Sequence, residues 1–481
     1  MSNVWFIGDI HGGHRNVHKF RKQFQSEEDH YQHVKDNFHK VVKKRDKVFF
    51  MGDTAFTLER LQDISTWVCG RKVLICGNHC HTEDTELLTS EGFVYVGDIT
   101  EDCEVASVDL SNGIMDFVKP SRIVVNEGSA TYSVKGTWLD ERVSSGHNIV
   151  LDGKLTPVKD SVGSYVNRRF TLSAKCEGLG VDITDNMIKL LTWVIMDGTI
   201  VRYSDKKTRV QFKLSKERKI ERLETLLLEM KIPYTKRLCK KHGLNKLQPY
   251  YIRIYGEHSL MLHKILEDKK QLPRSWRNLS YAQVRLLLEE LSVTDATKEV
   301  NKIHWSTTSK NDVDVIQEAC VKNGIAFSFK ERKNASGFKN GKQQYICNIC
   351  DGTSIISSKP VIVEPTGCLE RTIGVTVRHG TVVSRRNGKV SVTGNCTDHI
   401  PMKVLCEYFD EVYSLYKWHE FWLSHCPIHP DELRGKVNIH GHVHHATLND
   451  KRYYNTSLEN TGFYPVDLNF IRSEMVLFNC E

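Results

Sequence analysis

This chain of 481 residues lacks the features typical of membrane proteins, secreted proteins and disulfide-stabilised proteins. No apolar run reaches the roughly 18 residues that a membrane-spanning helix needs, so we expect no membrane partner. The first residues, MSNVWFIGDIHGGH, lack the basic and then apolar regions of a secretory signal, and we expect none. The 14 cysteines are scattered instead of forming a disulfide framework, which favours reduced thiols and a cytoplasmic location.

A zinc-finger arrangement is also missing, because the single CxxC pair, Cys347 and Cys350, has no second pair at suitable spacing. Ordinary strand residues are therefore favoured there. The net charge of +8 is concentrated in the middle of the chain. Residues 80–395 carry 47 Lys and Arg against 38 Asp and Glu, whereas the two flanks together carry 20 against 21. The basic middle indicates a polyanionic partner, although charge alone does not identify one.

Polar side chains follow apolar, strand-like runs at five places in the two flanks. These are VWFIGDIHGGH with Asp9 and His11, KVFFMGDTAF with Asp53, LICGNH with Asn78 and His79, FWLSHCPIHP with His425, and VNIHGHVHH with His442 and His444. Carboxylates, an amide and imidazoles at strand ends suit a pair of borderline divalent metals. A lone histidine would more often be structural, but an ordered series of such motifs is far more specific.

The series DxH, GD, GNH, H and GHxH resembles the calcineurin-like metallophosphoesterases, in particular their compact bacterial and phage members. The resemblance covers residues 1–79 and 396–481 and implies an α/β sandwich split by an insertion. It also implies a ligand set for two metals: Asp9, His11, Asp53 and His444 for one, and Asp53 as the bridge with Asn78, His425 and His442 for the other. His79 would assist the leaving group. We expect Mn²⁺, with Fe, Zn²⁺ or Ni²⁺ as alternatives, and a phosphomonoester or phosphodiester substrate.

The insertion opens with Cys80, closes with Asn395 and is followed by Cys396. Its ends read CHTEDTELLTSEGFVYVGDI and RTIGVTVRHGTVVSRRNGKVSVTGNC, and RVSSGHNIVLDGK carries Ser144 and His147. Together these segments resemble an intein. The resemblance implies an all-β Hint splicing domain, formed by residues 80–165 and 356–395, that needs no cofactor.

The intein resemblance also implies a role for each residue at the ends. Cys80 would attack the carbonyl of His79, Cys396 would take the acyl group, and Asn395 would free the insertion by closing a succinimide. The imidazole of His147, three positions after Ser144, would protonate the departing amide of Cys80.

The insertion departs from the intein pattern in two places. Gly394 stands where such proteins usually have histidine, and Gly374 stands where they usually have aspartate. His379 lies close to the position of a second expected histidine. These changes bear on the rate of splicing more than on the pathway, since the nucleophiles and Asn395 remain.

Two further segments, LLTWVIMDG and LEELSVTDA, are short apolar runs that end in Asp197 and Asp295. They resemble the signature helices of LAGLIDADG (DOD-type) homing endonucleases, which implies an α+β domain over residues 166–355. The two carboxylates would share Mg²⁺ over double-stranded DNA, with Lys270 as a candidate basic residue. Three residues depart from the pattern: Ala296 stands for the usual glycine, Glu290 stands at a small or apolar position, and Met196 is bulkier than the Gly or Ala that lets such helices approach closely. The simpler alternative is a pair of core helices.

The prediction is therefore a multidomain precursor with its oligomeric state left open. It would splice His79 to Cys396, yield a two-metal phosphoesterase and release a DNA endonuclease. The alternative is a splicing-inactive precursor whose insertion is a non-catalytic DNA-binding relic.

Overall fold

The computed structural model describes residues 2–75, 80–204, 207–239, 247–266, 270–332, 343–395, 402–413, 415–428, 430–446 and 448–475. Within these ranges the chain is multidomain, with an α/β part built from the flanks and a β-rich and an α+β part in the insertion. Asn78, His79 and Cys396 lie outside the described residues. Among the helices described, none has the length and apolar character needed to cross a membrane.

The two flanks share one sheet, although 316 residues separate them in sequence. Its five strands follow the order Glu411–Tyr413, Lys72–Ile75, Lys47–Phe50, Val4–Ile7 and Val466–Asp467. All neighbours are parallel except the last pair. A second sheet contains Leu415–Trp418, Phe421–Ser424, Val437–His440 and Tyr453–Asn455.

The apolar side chains of the first sheet face two layers. One cluster, with Phe6, Phe49 and Ile439, fills the space between the two sheets. Another, with Phe38 and Phe50, lies under the helices on the opposite face. The helices of this part are Val17–Phe20, Glu27–Val41, Leu58–Ser65, Met402–Tyr408 and Leu468–Glu474. The carboxyl ends of the parallel strands therefore meet at one edge between these layers.

The β-rich part of the insertion has no α-helix in the described residues of 80–176 and 354–395. Its longest strands, Arg122–Lys135 and Val361–Thr376, form an antiparallel pair that joins the two ends of the insertion. The remaining strands are His81–Thr82, Glu86–Thr89, Gly92–Tyr95, Val105–Asp109, Ile114–Val118, Asp140–Ser144, Asn148–Leu151, Lys154–Pro157, Gly163–Tyr165, Arg169–Thr171, Lys175–Cys176, Ser354–Ile356, Thr381–Arg386 and Lys389–Gly394.

The division between the two parts of the insertion differs from the sequence-based one, which assigned residues from 166 onward to the endonuclease. Strand Arg169–Thr171 pairs with Asn148–Leu151 and Ser354–Ile356, and Lys175–Cys176 pairs with Ile114–Val118. These strands therefore belong to the β-rich part, and the α+β part starts at the helix Asp185–Met196.

The α+β part consists of two halves that share the order helix, two strands, helix, two strands, and the first half adds the helix Gly256–Ile265. One sheet has the order Gly198–Ser204, Lys207–Leu214, Tyr250–Tyr255 and Tyr234–Leu238. The other follows the same path through Ala296–Lys298, Lys302–Thr307, Gln344–Asp351 and Ile325–Arg332. The helices are Asp185–Met196, Glu217–Glu229, Gly256–Ile265, Tyr281–Thr294 and Lys310–Lys322.

One apolar core runs through both halves and includes Trp193, Leu291 and Cys347. Helices Asp185–Met196 and Tyr281–Thr294, which open the two halves, pack against each other. Cys350 lies three positions after Cys347 on one strand, so the two thiols face opposite sides of the sheet. This arrangement supports ordinary strand roles for the CxxC pair.

Candidate functional site

The two ends of the insertion meet in the β-rich part. His81, directly after Cys80, pairs with Val143 of one strand and Ile373 of another. At the other end, Thr393 pairs with Ile149 on the strand that follows His147. The predicted splicing residues Cys80, Ser144, His147 and Asn395 are all buried. The fold therefore brings the two ends into one enclosed region.

Ser144 holds Cys80 through two hydrogen bonds. The Cys80 amide donates to Ser144 Oγ at 2.8 Å, and the Ser144 amide donates to the Cys80 carbonyl at 2.8 Å. The His147 amide donates to the Ser144 carbonyl at 3.0 Å, which closes the turn between the serine and the imidazole. A hydroxyl that contacts the amide of Cys80 is suitably placed to orient the peptide bond that precedes it.

Asn395 is anchored by its side-chain amide, which donates to the Val377 carbonyl at 2.9 Å, and by its own N–H, which donates to the Gly380 carbonyl at 3.0 Å. His379 lies nearby in sequence, but its Nε2 is 3.1 Å from Asp116 Oδ2. The ring that lies close to the expected position of a second histidine is thus hydrogen-bonded to the carboxylate of Asp116.

Steric crowding explains why position 394 is a glycine. A Cβ added to Gly394 would lie 2.6 Å from the Asn148 carbonyl oxygen and 2.9 Å from the Asn148 Cβ. The neighbouring strand therefore leaves no room for the histidine that the intein resemblance leads one to expect.

Sequence reasoning missed two residues of this region, Thr393 and Glu141. His147 Nε2 is hydrogen-bonded to Thr393 Oγ1 at 2.8 Å, and Thr393 Oγ1 donates to Glu141 Oε2 at 3.2 Å. Neither residue belongs to a recognisable spacing. Glu141 stands between Asp140 and Arg142 on strand Asp140–Ser144, so the sequence does not show which of these charged side chains matters.

Those predicted metal ligands of the flanks that the structure describes converge at the edge where the parallel strands end. Ligand atoms of Asp9, His11 and His444 lie within 4.8 Å of one another, as do those of Asp9, Asp53 and His425. His442 forms a similar group with His425 and with Cys426, a residue that sequence reasoning did not consider. Asp9 and His425 each belong to two of these groups, and Asp53 Oδ2 lies 3.8 Å from His11 Nε2 and 3.6 Å from His425 Nε2, between ligands of the two implied sites.

The backbone at these ligands is unusual. Asp9, His11, Asp53, His442 and His444 all have positive φ, at 56°, 55°, 44°, 72° and 49°. Such angles are uncommon outside glycine, and strained residues cluster at functional sites. The surrounding structure thus holds five candidate ligands in costly conformations.

Two buried ligand atoms have no hydrogen-bond partner among the described residues. They are Asp9 Oδ1 and His11 Nε2, and they lie 3.8 Å apart. Burying a carboxylate oxygen and an imidazole nitrogen without hydrogen bonds lowers the stability of the fold, unless a bound group interacts with both atoms. Together with the N and O donor set, this orphaned pair fits a borderline divalent metal.

Hydrogen bonds also orient the histidine rings. His425 Nδ1 donates to the Met51 carbonyl at 2.7 Å, which turns Nε2 toward Asp53 at 3.6 Å. A Cβ at Gly52 would lie 2.1 Å from His425 Nδ1, so the glycine of the GD motif makes room for this ring. Such support is typical of metal-binding histidines.

Glu459 and Arg21 are further supports that sequence reasoning missed. Glu459 accepts from His444 Nδ1 at 3.1 Å and from Arg21 Nε at 2.8 Å. Arg21 Nη2 also donates to the Asp9 carbonyl at 2.8 Å. The pair therefore connects ligands of the two flanks.

Electrostatics favours metal-binding forms of His11, Asp53 and His442 but not of His425. Burial lowers the pKa of His11 well below its usual value, so its ring is neutral near pH 7. Burial alone would raise the pKa of Asp53, but the His425 ring holds it well below the ordinary range. Burial, then the charges of His425 and Lys159, lower the pKa of His442. Burial lowers the pKa of His425, but the charge of Asp53 outweighs it and raises that pKa to about 9, so the ring must lose a proton before it can bind a metal. A neutral imidazole and an ionised carboxylate are what metal binding requires.

Residues of the insertion cover this cluster. A cavity of about 360 Å³ is lined by the metal-ligand candidates and by Gly146, Asn148, Pro157 and Lys159 of the β-rich part. Ser145 Oγ is hydrogen-bonded to His442 Nε2 at 2.7 Å. The region of Ser144 and His147 is thus in direct contact with the cluster in the flanks.

The α+β part places Asp197 and Asp295 at equivalent positions, each capping the carboxyl end of one of the two packed helices. Burial, then the charge of Asp197, raises the pKa of Asp295. Lys219 Nζ lies 2.6 Å from Asp197 Oδ2. Burial lowers the pKa of Lys270, opposed by both aspartates, and its Nζ donates to the Met196 carbonyl at 3.3 Å. The two carboxylates and two lysines therefore form one cluster.

Glu290, which departs from the signature pattern, connects the helix pair. It is fully buried and accepts from Trp193 Nε1 of the partner helix at 2.8 Å and from Arg222. An interhelical hydrogen bond thus replaces part of the close small-residue packing. The outer faces of the two sheets are polar and basic, with side chains that include Arg209, Lys213, Arg237, Arg253, Lys302, Lys330 and Arg332.

No established protein-family profile matches this chain. Ribonucleoside-diphosphate reductase subunit beta of Aquifex aeolicus (strain VF5) is 24% identical over 394 residues, which cover 73% of this chain and 55% of that protein. The gene 66 protein of Mycobacterium phage D29 is 40% identical over 83 residues, which cover 16% of this chain and 41% of that protein. The chain thus spans about half, or less, of the length of these curated relatives.

Two solved structures are similar to parts of the chain. The homing endonuclease I-DmoI in complex with DNA and Mn has 14% identity, covers 34% of this chain and 89% of its own, and gives a TM-score of 0.25. The AceL NrdHF class 3 split intein, in a splice-inactive variant, has 10% identity, covers 66% of this chain and 99% of its own, and gives a TM-score of 0.24.

Proposed function

We propose that this chain is a precursor that removes residues 80–395 and joins His79 to Cys396. The observation that carries the proposal is the meeting of Cys80, Ser144, His147 and Asn395 in one buried region, although Asn395 is 315 positions after Cys80. An inert insertion has no need to place a thiol, an imidazole and an asparagine together at its two ends.

The first step is an N-to-S acyl shift. Cys80 Sγ bonds to the carbonyl carbon of His79, and the bond from that carbon to the Cys80 nitrogen breaks. The proton of the Cys80 thiol passes to the lone pair of the His147 imidazole, which then gives it to the nitrogen, so that the nitrogen leaves as an amine. Ser144 Oγ, hydrogen-bonded to this amide at 2.8 Å, keeps the nitrogen oriented as it departs.

Three further steps complete the exchange without a cofactor. Cys396 Sγ attacks the thioester carbon and displaces the Cys80 thiol. The side-chain nitrogen of Asn395 then bonds to its own carbonyl carbon, which breaks the bond to the Cys396 nitrogen and leaves a succinimide. The freed amine of Cys396 finally attacks the thioester, so an ordinary peptide bond joins the flanks.

The joined product is proposed to be a phosphoesterase. Asp9, His11, Asp53 and His444 would hold one divalent metal, and Asn78, His425 and His442 would complete a second site. Bound metals would supply Lewis-acid activation of water and neutralise charge on the phosphoryl oxygens. Met51, Glu459 and Arg21 orient the rings and carboxylates that do this.

The insertion is proposed to keep the phosphoesterase inactive until it leaves. Lys159 brings a positive charge into the ligand cavity, which opposes the binding of divalent cations. Gly146, Asn148 and Pro157 occupy part of the lining that a phosphoester would use. Excision would remove all four residues, as well as the contact between Ser145 and His442.

The excised insertion is proposed to cut double-stranded DNA. Asp197 and Asp295 would share Mg²⁺ at the ends of the helix pair, and the basic outer faces of the two sheets would contact phosphates. Lys219 and Lys270 neutralise the carboxylates when no cation is bound.

Mass spectrometry of the expressed chain tests the central proposal. The expected products are the excised residues 80–395 and a joined chain of 165 residues. A single full-length species would instead support the splicing-inactive alternative with a non-catalytic DNA-binding insertion.

A further inference from the structure

The side-chain carboxyl group of Glu141 is buried and is hydrogen-bonded to two hydroxyl groups. Glu141 lies on strand Asp140–Ser144, and its side chain accepts from Ser391 Oγ at 2.5 Å and from Thr393 Oγ1 at 3.2 Å. Within the described residues it has no salt-bridge partner. A buried carboxyl without a counter-ion is costly, and such groups concentrate at functional sites.

Thr393 connects this carboxyl to the imidazole of His147. Its Oγ1 lies 2.8 Å from His147 Nε2 and 3.2 Å from both Glu141 Oε2 and the Asn148 carbonyl oxygen. A threonine hydroxyl has one hydrogen to donate. The direction of these three contacts therefore depends on which neighbours can only accept.

An ionised Glu141 settles that direction. Its carboxylate and the Asn148 carbonyl are both acceptors only, so the single Thr393 hydrogen is shared between these two oxygens. His147 Nε2 must then donate its N–H to Thr393 Oγ1. The neutral imidazole keeps its lone pair on Nδ1. A protonated Glu141 could donate to Thr393 and allow the hydroxyl to turn toward His147.

We propose that Glu141 is a positioning residue for splicing, which acts through Thr393 to hold the His147 proton on Nε2. This inference rests on the proposed splicing function and adds a carboxyl–hydroxyl–imidazole relay to it. The intein resemblance leads one to expect a carboxylate at position 374, where this chain has glycine, and the carboxyl group that contacts Thr393 belongs to Glu141 on a different strand.

The relay makes cleavage depend on the ionisation of Glu141. Burial raises the pKa of Glu141 to about 7, opposed by the hydrogen bonds from Ser391 and Thr393. The like charge of Asp140 raises it further. The other titratable or charged groups on the strands and turn around Glu141 are Lys135, Arg142, Arg386, Lys389, His81 and His147. Activity should therefore rise as pH increases through about 7.

The test uses the full chain with Asn395→Ala and Cys396→Ala, in which only the first acyl shift proceeds. Thiol-induced cleavage at Cys80 is followed on denaturing gels from pH 5.5 to 9. Glu141→Gln keeps the shape but can donate to Thr393, so we expect cleavage at pH 8 to fall about 10- to 100-fold. The rise near pH 7 should also disappear. Thr393→Val should have the same effects as Glu141→Gln. Thr393→Ser keeps the hydroxyl and should therefore retain most of the parent cleavage rate.

Ser391→Ala is the matched control, because it removes the other hydrogen bond to Glu141 but leaves Thr393 in place. Since that bond lowers the pKa of Glu141, its loss should shift the pH profile toward higher pH without flattening it. A Glu141→Gln chain with the parent rate and profile would overturn the relay. If Glu141→Gln fails to fold, a pH profile of Ser391→Ala that is not shifted from that of the parent would overturn the relay instead. No cleavage in the parent would overturn the proposed splicing, and the relay with it.

Discussion

Replacing Gly394 by histidine should slow splicing, although histidine is the residue that the intein resemblance favours there. The added Cβ would lie 2.6 Å from the Asn148 carbonyl oxygen, an atom that cannot move without its strand. That strand pairs Ile149 with Thr393, which contacts His147. Overpacking of this kind costs about 1–3 kcal/mol. Each kcal/mol lowers Tm by about 2–4 °C in a domain of about 150–250 residues.

The effect on rate should exceed the effect on stability. A shift of about 1 Å at a reacting group can cost about 100-fold, and the clash displaces Asn395 by way of its direct neighbour. Release of the carboxy-terminal flank in a Cys80→Ala background isolates the Asn395 step, and thermal melting follows stability. The matched control is Gly180→His, because no atom lies within 4 Å of a Cβ added at Gly180. Faster release in Gly394→His with an unchanged Tm would refute the steric argument.

Three other predictions follow from the remaining sites. Cys80→Ala should abolish thiol-induced cleavage of the amino-terminal flank, whereas Asn395→Ala should stop carboxy-terminal release and leave that cleavage possible; normal ligation in either variant would contradict the pathway. Asp197→Asn or Asp295→Asn should abolish Mg²⁺-dependent cutting of an insertion-free allele without changing splicing, and undiminished cutting would exclude the shared carboxylate site. The joined chain of 165 residues should hydrolyse aryl phosphoesters with Mn²⁺, whereas a splicing-blocked precursor should not. Equal hydrolysis by the two would refute inhibition by the insertion. In the joined chain, Asp53→Asn should lower the amount of bound metal measured by mass spectrometry.

Local motifs predicted the side chains that lie at the ends of regular elements. Asp9 and Asp53 follow apolar runs that become parallel neighbours, so their convergence at one sheet edge follows from strand geometry. Asp197 and Asp295 end two apolar runs of similar length, and both become helix caps. In each case the sequence neighbourhood contains both the element and the polar residue that terminates it.

Supporting residues could not be predicted in this way. Arg21 and Glu459 are 438 positions apart, and nothing in the sequence near either one marks it as buried. Glu141 and Thr393 sit within strands whose neighbours give no spacing pattern, so only the tertiary pairing brings them to His147. Whether such a polar side chain is buried depends on tertiary packing between distant segments, which a local sequence pattern does not reveal.

The place of the insertion explains why the two sites touch. Strand Lys72–Ile75 is parallel to Lys47–Phe50, and the chain enters the insertion at Cys80, five positions after that strand ends. An insertion that starts beyond the carboxyl end of a strand in this sheet begins at the edge where the candidate metal ligands converge. Its first domain must then pack against that edge, and Ser145 meets His442 there. Because Ser145 adjoins Ser144, which holds the Cys80 amide, only these two serines separate His442 from the proposed splicing nucleophile.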